Sequence, residues 1–103
     1  MDPIGSLYYD FVKRGVVGKA QPYVVEGIGE DFFPTTMDLA ILDDVHQITD
    51  RECFIWTRKL ARQEGIFAGG STGAAVCIAL RIARTLTPEH LVWETLGTDH
   101  MAF

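Results

Sequence analysis

The sequence predicts an α/β fold, a parallel-type sheet packed against buried helices, and three observations carry that prediction. Short β-prone runs alternate with helical patterns along the 103 residues, the order from which parallel sheets are built. Thr49 and Glu52 stand at capping-box spacing before an amphipathic stretch that Gly65 closes. The run Gly65-Ile66-Phe67-Ala68-Gly69-Gly70-Ser71-Thr72-Gly73 then leads a short apolar segment through glycines and hydroxyls into a second helix. Turns of that kind offer backbone N–H groups to a ligand.

The elements follow in order. Residues 1–18 show no clear period and read as loop, with at most a helical turn around Tyr8-Tyr9-Asp10-Phe11-Val12. Tyr23-Val24-Val25-Glu26 predicts a strand, opened by Pro22 and closed by Gly27. Pro34 pushes Phe33 out of the helical region, so no long helix follows directly. Residues 37–42 predict a short helix, and Val45-His46-Gln47-Ile48 a second strand. After the capping box, Cys53, Trp56 and Leu60, flanked by Phe54 and Ala61, form an apolar stripe. Arg58, Lys59 and Arg62 lie toward the negative end of that helix dipole. Ile66-Phe67-Ala68 predicts a short buried strand, and residues 74–86 a helix apolar nearly all round until Arg81 and Arg84. Such a helix must be buried on most sides. A chain of this length offers little to bury it, so the chain is expected to self-associate or to join a complementary chain.

Composition narrows the function classes. A formal net charge of −5 without a Lys/Arg cluster argues against a nucleic-acid or anionic-membrane surface. The longest uncharged run, residues 65–80, is too short to span a bilayer. No basic segment followed by an apolar core opens the sequence, so no export signal is expected. Cys53 and Cys77 are isolated thiols without metal-ligand spacing, which fits a cytoplasmic setting.

Two glycine clusters are the candidate binding elements. Gly27-Ile28-Gly29 lacks the third glycine of a dinucleotide fingerprint, since position 32 is Phe, and Pro34 bars the helix that fingerprint requires. It is either a tight turn or a backbone wall kept bare for a flat ligand. No lysine follows Gly73, so residues 69–73 are not a P-loop. Ser71 or Thr72 can serve as an N-cap worth about 1 kcal/mol, which leaves the other hydroxyl for a ligand. His46, His90 and His100 are scattered, and no metal site is expected. Glu30-Asp31 and Asp43-Asp44 read as solvated pairs, Cys77 as a core residue, and Trp56 and Trp93 as core or interface aromatics. No nucleophile–base–orienter set can be assembled, so no catalytic residue is assigned.

Three motifs in order resemble one family: Asp2-Pro3-Ile4-Gly5-Ser6, then Val25-Glu26-Gly27-Ile28-Gly29-Glu30-Asp31-Phe32-Phe33-Pro34, then Gln63-Glu64 through Gly73. The chain from about Asp2 to Leu86 looks like the cystathionine β-synthase / cysteine synthase group of pyridoxal-phosphate enzymes, called fold type II; the tail, 87–103, diverges. The form V-E-G-I-G-x-D-F-x-P leans toward cystathionine β-synthase. The resemblance implies pyridoxal phosphate bound between two α/β domains of an enzyme that replaces the β-substituent of serine or an activated serine. By position it makes Ser71 the hydroxyl that hydrogen-bonds the pyridine nitrogen, and it places Gly27 and Gly29 along the cofactor and substrate cavity. A neutral hydroxyl beside a helix N-terminus disfavours a protonated ring, which favours β-elimination over transamination.

The family's Schiff-base lysine, glycine phosphate loop and asparagine-containing substrate loop have no counterpart here; Lys13, Lys19 and Lys59 lie in other contexts. The expectation is an interior-to-late portion of the catalytic domain, 1–103, acting on a small amino-acid substrate only as part of the parent lyase or transferase of cysteine biosynthesis. The alternative is a non-enzymatic module that associates with a complete paralogue or a separately encoded N-terminal half. A third, weaker option is an independent phosphate- or nucleotide-binding α/β domain. Residues 91–96 are read either as the family's next strand or, with Thr87-Pro88, as the start of a helix.

Overall fold

The computed structural model describes residues 1–93. Strand β1 (Asp2–Pro3) is followed by helix α1 (Tyr8–Arg14), a 3₁₀ turn (Leu39–Ile41), strand β2 (Gln47–Ile48), helix α2 (Asp50–Glu64) and helix α3 (Gly70–Ala83). The two strands pair in parallel, Asp2 opposite Gln47 and Pro3 opposite Ile48. The predicted α/β class with a parallel sheet is therefore what the chain forms, with a sheet of only two short strands among the described residues.

Helix α2 starts as its sequence dictates. The Thr49 hydroxyl accepts the Glu52 N–H at 3.2 Å, and the Glu52 carboxylate accepts the Thr49 N–H at 2.9 Å. Gly65 ends the helix in the left-handed region at φ 68°. Thr49→Ala is expected to cost about 1 kcal/mol of helix stability, read from loss of circular-dichroism signal in urea. Donation from the Thr49 N–H and hydroxyl, joined by Arg81, holds the Glu52 carboxyl below its ordinary value of 4.5. A lowered folded value means that this stabilisation is present above the unfolded value and disappears as pH falls through the folded one. The cost of Thr49→Ala should therefore be largest at neutral pH and shrink as the solution is acidified below the ordinary carboxylate range.

Four local expectations are corrected. Residues 8–14 form a helix where loop was expected; Asp10 in its first turn, Lys13 and Arg14 in its last and Gly15 at its C-cap are the ordinary signals. Residues 23–26 form no strand, because their backbone donors are taken by a side chain instead of a ladder: Asp50 accepts the N–H groups of Val24 and Val25, each at 2.9 Å. The predicted helix at 37–42 shortens to the 3₁₀ turn Leu39–Ile41, opened by Asp38 accepting the Ala40 N–H. Residues 66–68 form no strand and are not buried: Ile66 is 40% exposed and Phe67 62%. Among the described residues the sheet consists of β1 and β2, and residues 66–68 join neither.

The core lies where α2 and α3 meet the chain's middle: Val25, Ile48, Cys53, Ala74, Cys77 and Ile78 are buried together, with Tyr23, Ile28, Trp56 and Ile82 packed on them. Helix α3 is buried through its first half, from Ser71 to Ala75, whereas Leu80 in its second half is 39% exposed. Arg81 fastens α3 to the start of α2 and to β2, donating to Glu52 Oε1 at 2.8 Å and to the Gln47 carbonyl at 3.1 Å. Residues 91–93 adopt no regular structure, and the rest of the predicted 91–96 segment lies outside the described residues, as does His100.

Candidate functional site

The N-terminus of α3 is built by close approach to α2. Gly73 presses its Cα into α2, where a Cβ would fall inside 3.0 Å of the Cys53 carbonyl oxygen and of Thr57. The Thr57 hydroxyl shares its proton between the Cys53 carbonyl at 2.9 Å and the Gly69 carbonyl at 3.1 Å. Gly69 is itself the N-cap, in extended backbone, and no side chain caps the helix. The expectation that Ser71 or Thr72 serves as the cap is thus corrected. Helix α3 begins four residues earlier than the sequence suggested, which carries both hydroxyls into its first turn.

That shift isolates Ser71. Its side chain is 5% exposed, and its Oγ finds no hydrogen-bond partner among the described residues. A buried hydroxyl left unsatisfied costs about 1–3 kcal/mol, and most such groups in native structures have a partner. The orphan lies at the positive end of a 14-residue helix. An acceptor nitrogen of a flat ring is the kind of partner that this neutral donor fits, so the residue present is compatible with pyridoxal phosphate.

Gly27 and Gly29 both take positive φ, 80° and 69°. The two are not equivalent. At Gly29 a Cβ would lie within 3.0 Å of Pro3 and Ser6, so the chain's own packing already accounts for a glycine there. Gly27 is exposed and leaves its backbone toward solvent. Val25, two residues before it, packs at the start of α3: its Cγ2 lies 3.1 Å from where a Gly70 Cβ would be. The chain thereby brings the glycine loop and the α3 N-terminus to one side of the core. An open cleft of about 400 Å³ adjoins the loop, lined by Ala20, Gln21, Pro22, Tyr23, Glu30 and Asp31; neither Ser71, Gly27 nor Gly29 lines it.

The lysines stand elsewhere. Lys13 pairs with Asp44, and that hydrogen bond raises its pKa, the opposite of what an amine nucleophile needs. Lys59 stacks over Trp56 at 4.2 Å from the ring centre. His46 pairs with Asp44 at 3.4 Å, and His90 meets the Thr87 hydroxyl at 2.9 Å. Cys77 lies in the core as expected, and burial pushes the Cys53 thiol up to about 12, so neither is an activated nucleophile. Trp93, 85% exposed, is not a core aromatic within this chain. No helix of the described residues is long and apolar enough to cross a membrane. Two polar residues escaped sequence reasoning. Asp2 is wholly buried, with Oδ2 accepting the Tyr9 N–H at 2.8 Å, and Asp50 grips Val24 and Val25.

The comparisons with known proteins converge. The family model described as "Pyridoxal-phosphate dependent enzyme" matches residues 5–94. Cystathionine beta-synthase of Oryctolagus cuniculus is 47% identical over 86 residues, and that of Dictyostelium discoideum 36%. Both matches cover 84% of this chain but only 15% and 17% of the relative. Among solved structures, the O-acetylserine dependent cystathionine beta-synthase from Helicobacter pylori superposes with a TM-score of 0.69 at 36% identity, over 84% of this chain and 26% of that one. An O-ureido-L-serine synthase gives 0.70 at 31% identity, over 84% and 25%. The chain thus spans about a sixth of the curated relatives it matches and about a quarter of the matching structures.

Proposed function

This chain belongs to the pyridoxal-phosphate-dependent enzyme family, and from that premise we propose that it is one part of a β-replacement enzyme of the cystathionine β-synthase or cysteine synthase type. The buried, unpartnered hydroxyl of Ser71 at the start of α3 carries the reading. When bound, pyridoxal phosphate supplies an electron-withdrawing ring that makes an amino acid's α-proton labile and lets a β-substituent leave. Ser71 would donate its Oγ proton to the ring nitrogen. The positive end of α3 would disfavour protonation of that nitrogen. Gly27 would offer bare backbone to the amino acid or the ring. Residues that attach the ring and hold its phosphate come from sequence that this chain does not contain, so by itself it turns over no serine.

The test joins the chain to the upstream part of a complete family member and measures β-replacement of serine or O-acetylserine by a thiol. Activity in the joined protein and none in the chain alone is expected; a joined protein that folds, binds pyridoxal phosphate and replaces nothing would overturn the reading. For the chain alone, borohydride reduction with pyridoxal phosphate should give scattered labelling. Stoichiometric labelling of Lys13, Lys19 or Lys59 would contradict it.

One observation favours the second reading, association with another polypeptide. Ile66 and Phe67, whose sequence predicts burial, are exposed at 40% and 62%, and Leu80 in the second half of α3 at 39%. Each large aliphatic or aromatic left out forgoes roughly 1.5–3 kcal/mol. Sedimentation of the isolated chain should show association; a monodisperse monomer with a cooperative calorimetric transition would refute it.

A further inference from the structure

We propose that Asp50 and Ser6 are positioning residues that clamp the two ends of the segment carrying Gly27 and Gly29, fixing its backbone before any ligand arrives. The proposal deepens the ligand reading above and rests on it for the identity of what the segment meets.

Residues 23–30 form neither strand nor helix, yet they hold positive φ at two positions, 80° at Gly27 and 69° at Gly29. Their shape needs a source outside a hydrogen-bonded ladder. At the first end, the Asp50 carboxylate takes the Val25 N–H on Oδ1 and the Val24 N–H on Oδ2, both at 2.9 Å. Asp50 is the first residue of α2 and lies between Thr49 and Glu52, the two members of the capping box, so its carboxylate is held by a rigid helix end. At the far end, the buried Ser6 hydroxyl accepts the Glu30 N–H at 3.0 Å and returns its proton to the Glu30 carbonyl at 3.2 Å. The Leu7 N–H reaches the same carbonyl at 3.1 Å.

Between the clamps, Gly29 is wedged against Pro3 and Ser6. Val25, at the first clamp, touches the start of α3 beside Ser71. Asp50 therefore sets the distance between the glycine backbone and the helix end that carries the orphan hydroxyl. Side-chain clamps do what a neighbouring strand would do for an ordinary segment, while leaving the glycine backbone uncovered. A wall preordered in this way loses less entropy when a ligand docks.

Amide exchange followed by NMR, with and without pyridoxal phosphate, tests this on the 103-residue chain carrying Asp50→Asn, Ser6→Ala or both, with Thr49→Ala as the control for a weakened α2. If the wild-type α2 and α3 amides exchange as in an unfolded chain, the same variants are placed in the joined protein. Asp50→Asn should speed exchange at Val24 and Val25 at least tenfold, and Ser6→Ala at Glu30 likewise, while the second half of α2 and α3 keep wild-type rates. Asp50→Glu should recover part of the protection, and Thr49→Ala, which weakens the helix end but keeps the Asp50 carboxylate, should speed exchange at Val24 and Val25 far less than Asp50→Asn does. In the joined protein the double variant should lower the affinity for pyridoxal phosphate, measured by equilibrium dialysis, at least tenfold. Unchanged exchange at 24–30, or loss spread evenly over both helices, would overturn the clamps; looser amides with unchanged affinity would overturn the positioning role. If the joined protein binds pyridoxal phosphate as tightly with Ser71→Ala as without it while the clamp variants still loosen residues 24–30, the clamps stand and the ligand reading fails.

Discussion

Gly73→Ala should separate α2 from α3 and remove most of the chain's helical signal in mild urea. A Cβ there would sit inside 3.0 Å of the Cys53 carbonyl oxygen, of the Thr57 hydroxyl and of the Thr57 backbone nitrogen. Two of these three atoms are backbone, so rotamer changes cannot make room. Alanine in place of glycine inside a helix gains up to about 1 kcal/mol by propensity. Overpacking costs typically about 1–3 kcal/mol, more where backbone must move, and separation would also break the Thr57 bond to the Gly69 carbonyl that sets the start of α3. The net effect is expected at about 3 kcal/mol or beyond, read from urea titration of the circular-dichroism signal. Gly18→Ala is the matched control. Its Cβ would make an ordinary 3.5 Å contact with Asp10 Oδ2, so a change within about 0.5 kcal/mol is expected. Equal effects at the two positions would mean that the α2–α3 approach is looser than described.

At Ser71, stability and function should move in opposite directions. Ser71→Ala removes a buried hydroxyl that has no partner among the described residues and adds a better helix former. The chain alone should therefore become more stable, by roughly 1 kcal/mol. In the joined protein the same change deletes the proposed donor to the ring nitrogen and should weaken cofactor retention by about 0.5–1.5 kcal/mol. Ser71→Asp is the more severe change. Since Gly69 is the cap, a carboxylate at 71 is buried instead of facing the solvent end of the helix. The helix N-terminus offsets at most about 2 kcal/mol of a burial cost of several kcal/mol.

Burial would raise that carboxyl's pKa. A raised folded value means that stability is retained at low pH and lost as pH rises through it, so Ser71→Asp should be more destabilising at neutral pH than near pH 4. In the joined protein a carboxylate beside the ring nitrogen should also hold a proton there, alter the visible absorption of the bound cofactor and suppress β-replacement. A fully active Ser71→Asp protein with an unchanged spectrum would withdraw Ser71 from the site.

Much of this was legible in the sequence because it is written locally. The start and end of α2 depend on Thr49, Glu52 and Gly65, all within one or two turns of the helix they shape. The motifs around Gly27-Ile28-Gly29 and Ser71 identified the family from side-chain identity alone, and the family match over residues 5–94 bears that out. Helix α1 carried legible signals in Asp10, Lys13, Arg14 and Gly15; its lack of a clean apolar period hid them.

Local residue patterns suffice for the parallel α/β grammar, the limits of α2 and the membership of Ser71 in a glycine-led helix start. That Tyr23-Val24-Val25-Glu26 is no strand depends on long-range packing, since the Asp50 carboxylate that takes its donors lies about 25 positions along the chain. The start of α3 is likewise set by packing against α2. Local rules assign a serine or threonine cap, but Thr57 holds the Gly69 carbonyl and the contact of Gly73 with α2 draws the glycines into the helix. The burial of Ser71 without a partner follows from that shift, because local propensity ranks hydroxyls as caps and carries no information about which helix will lie against them.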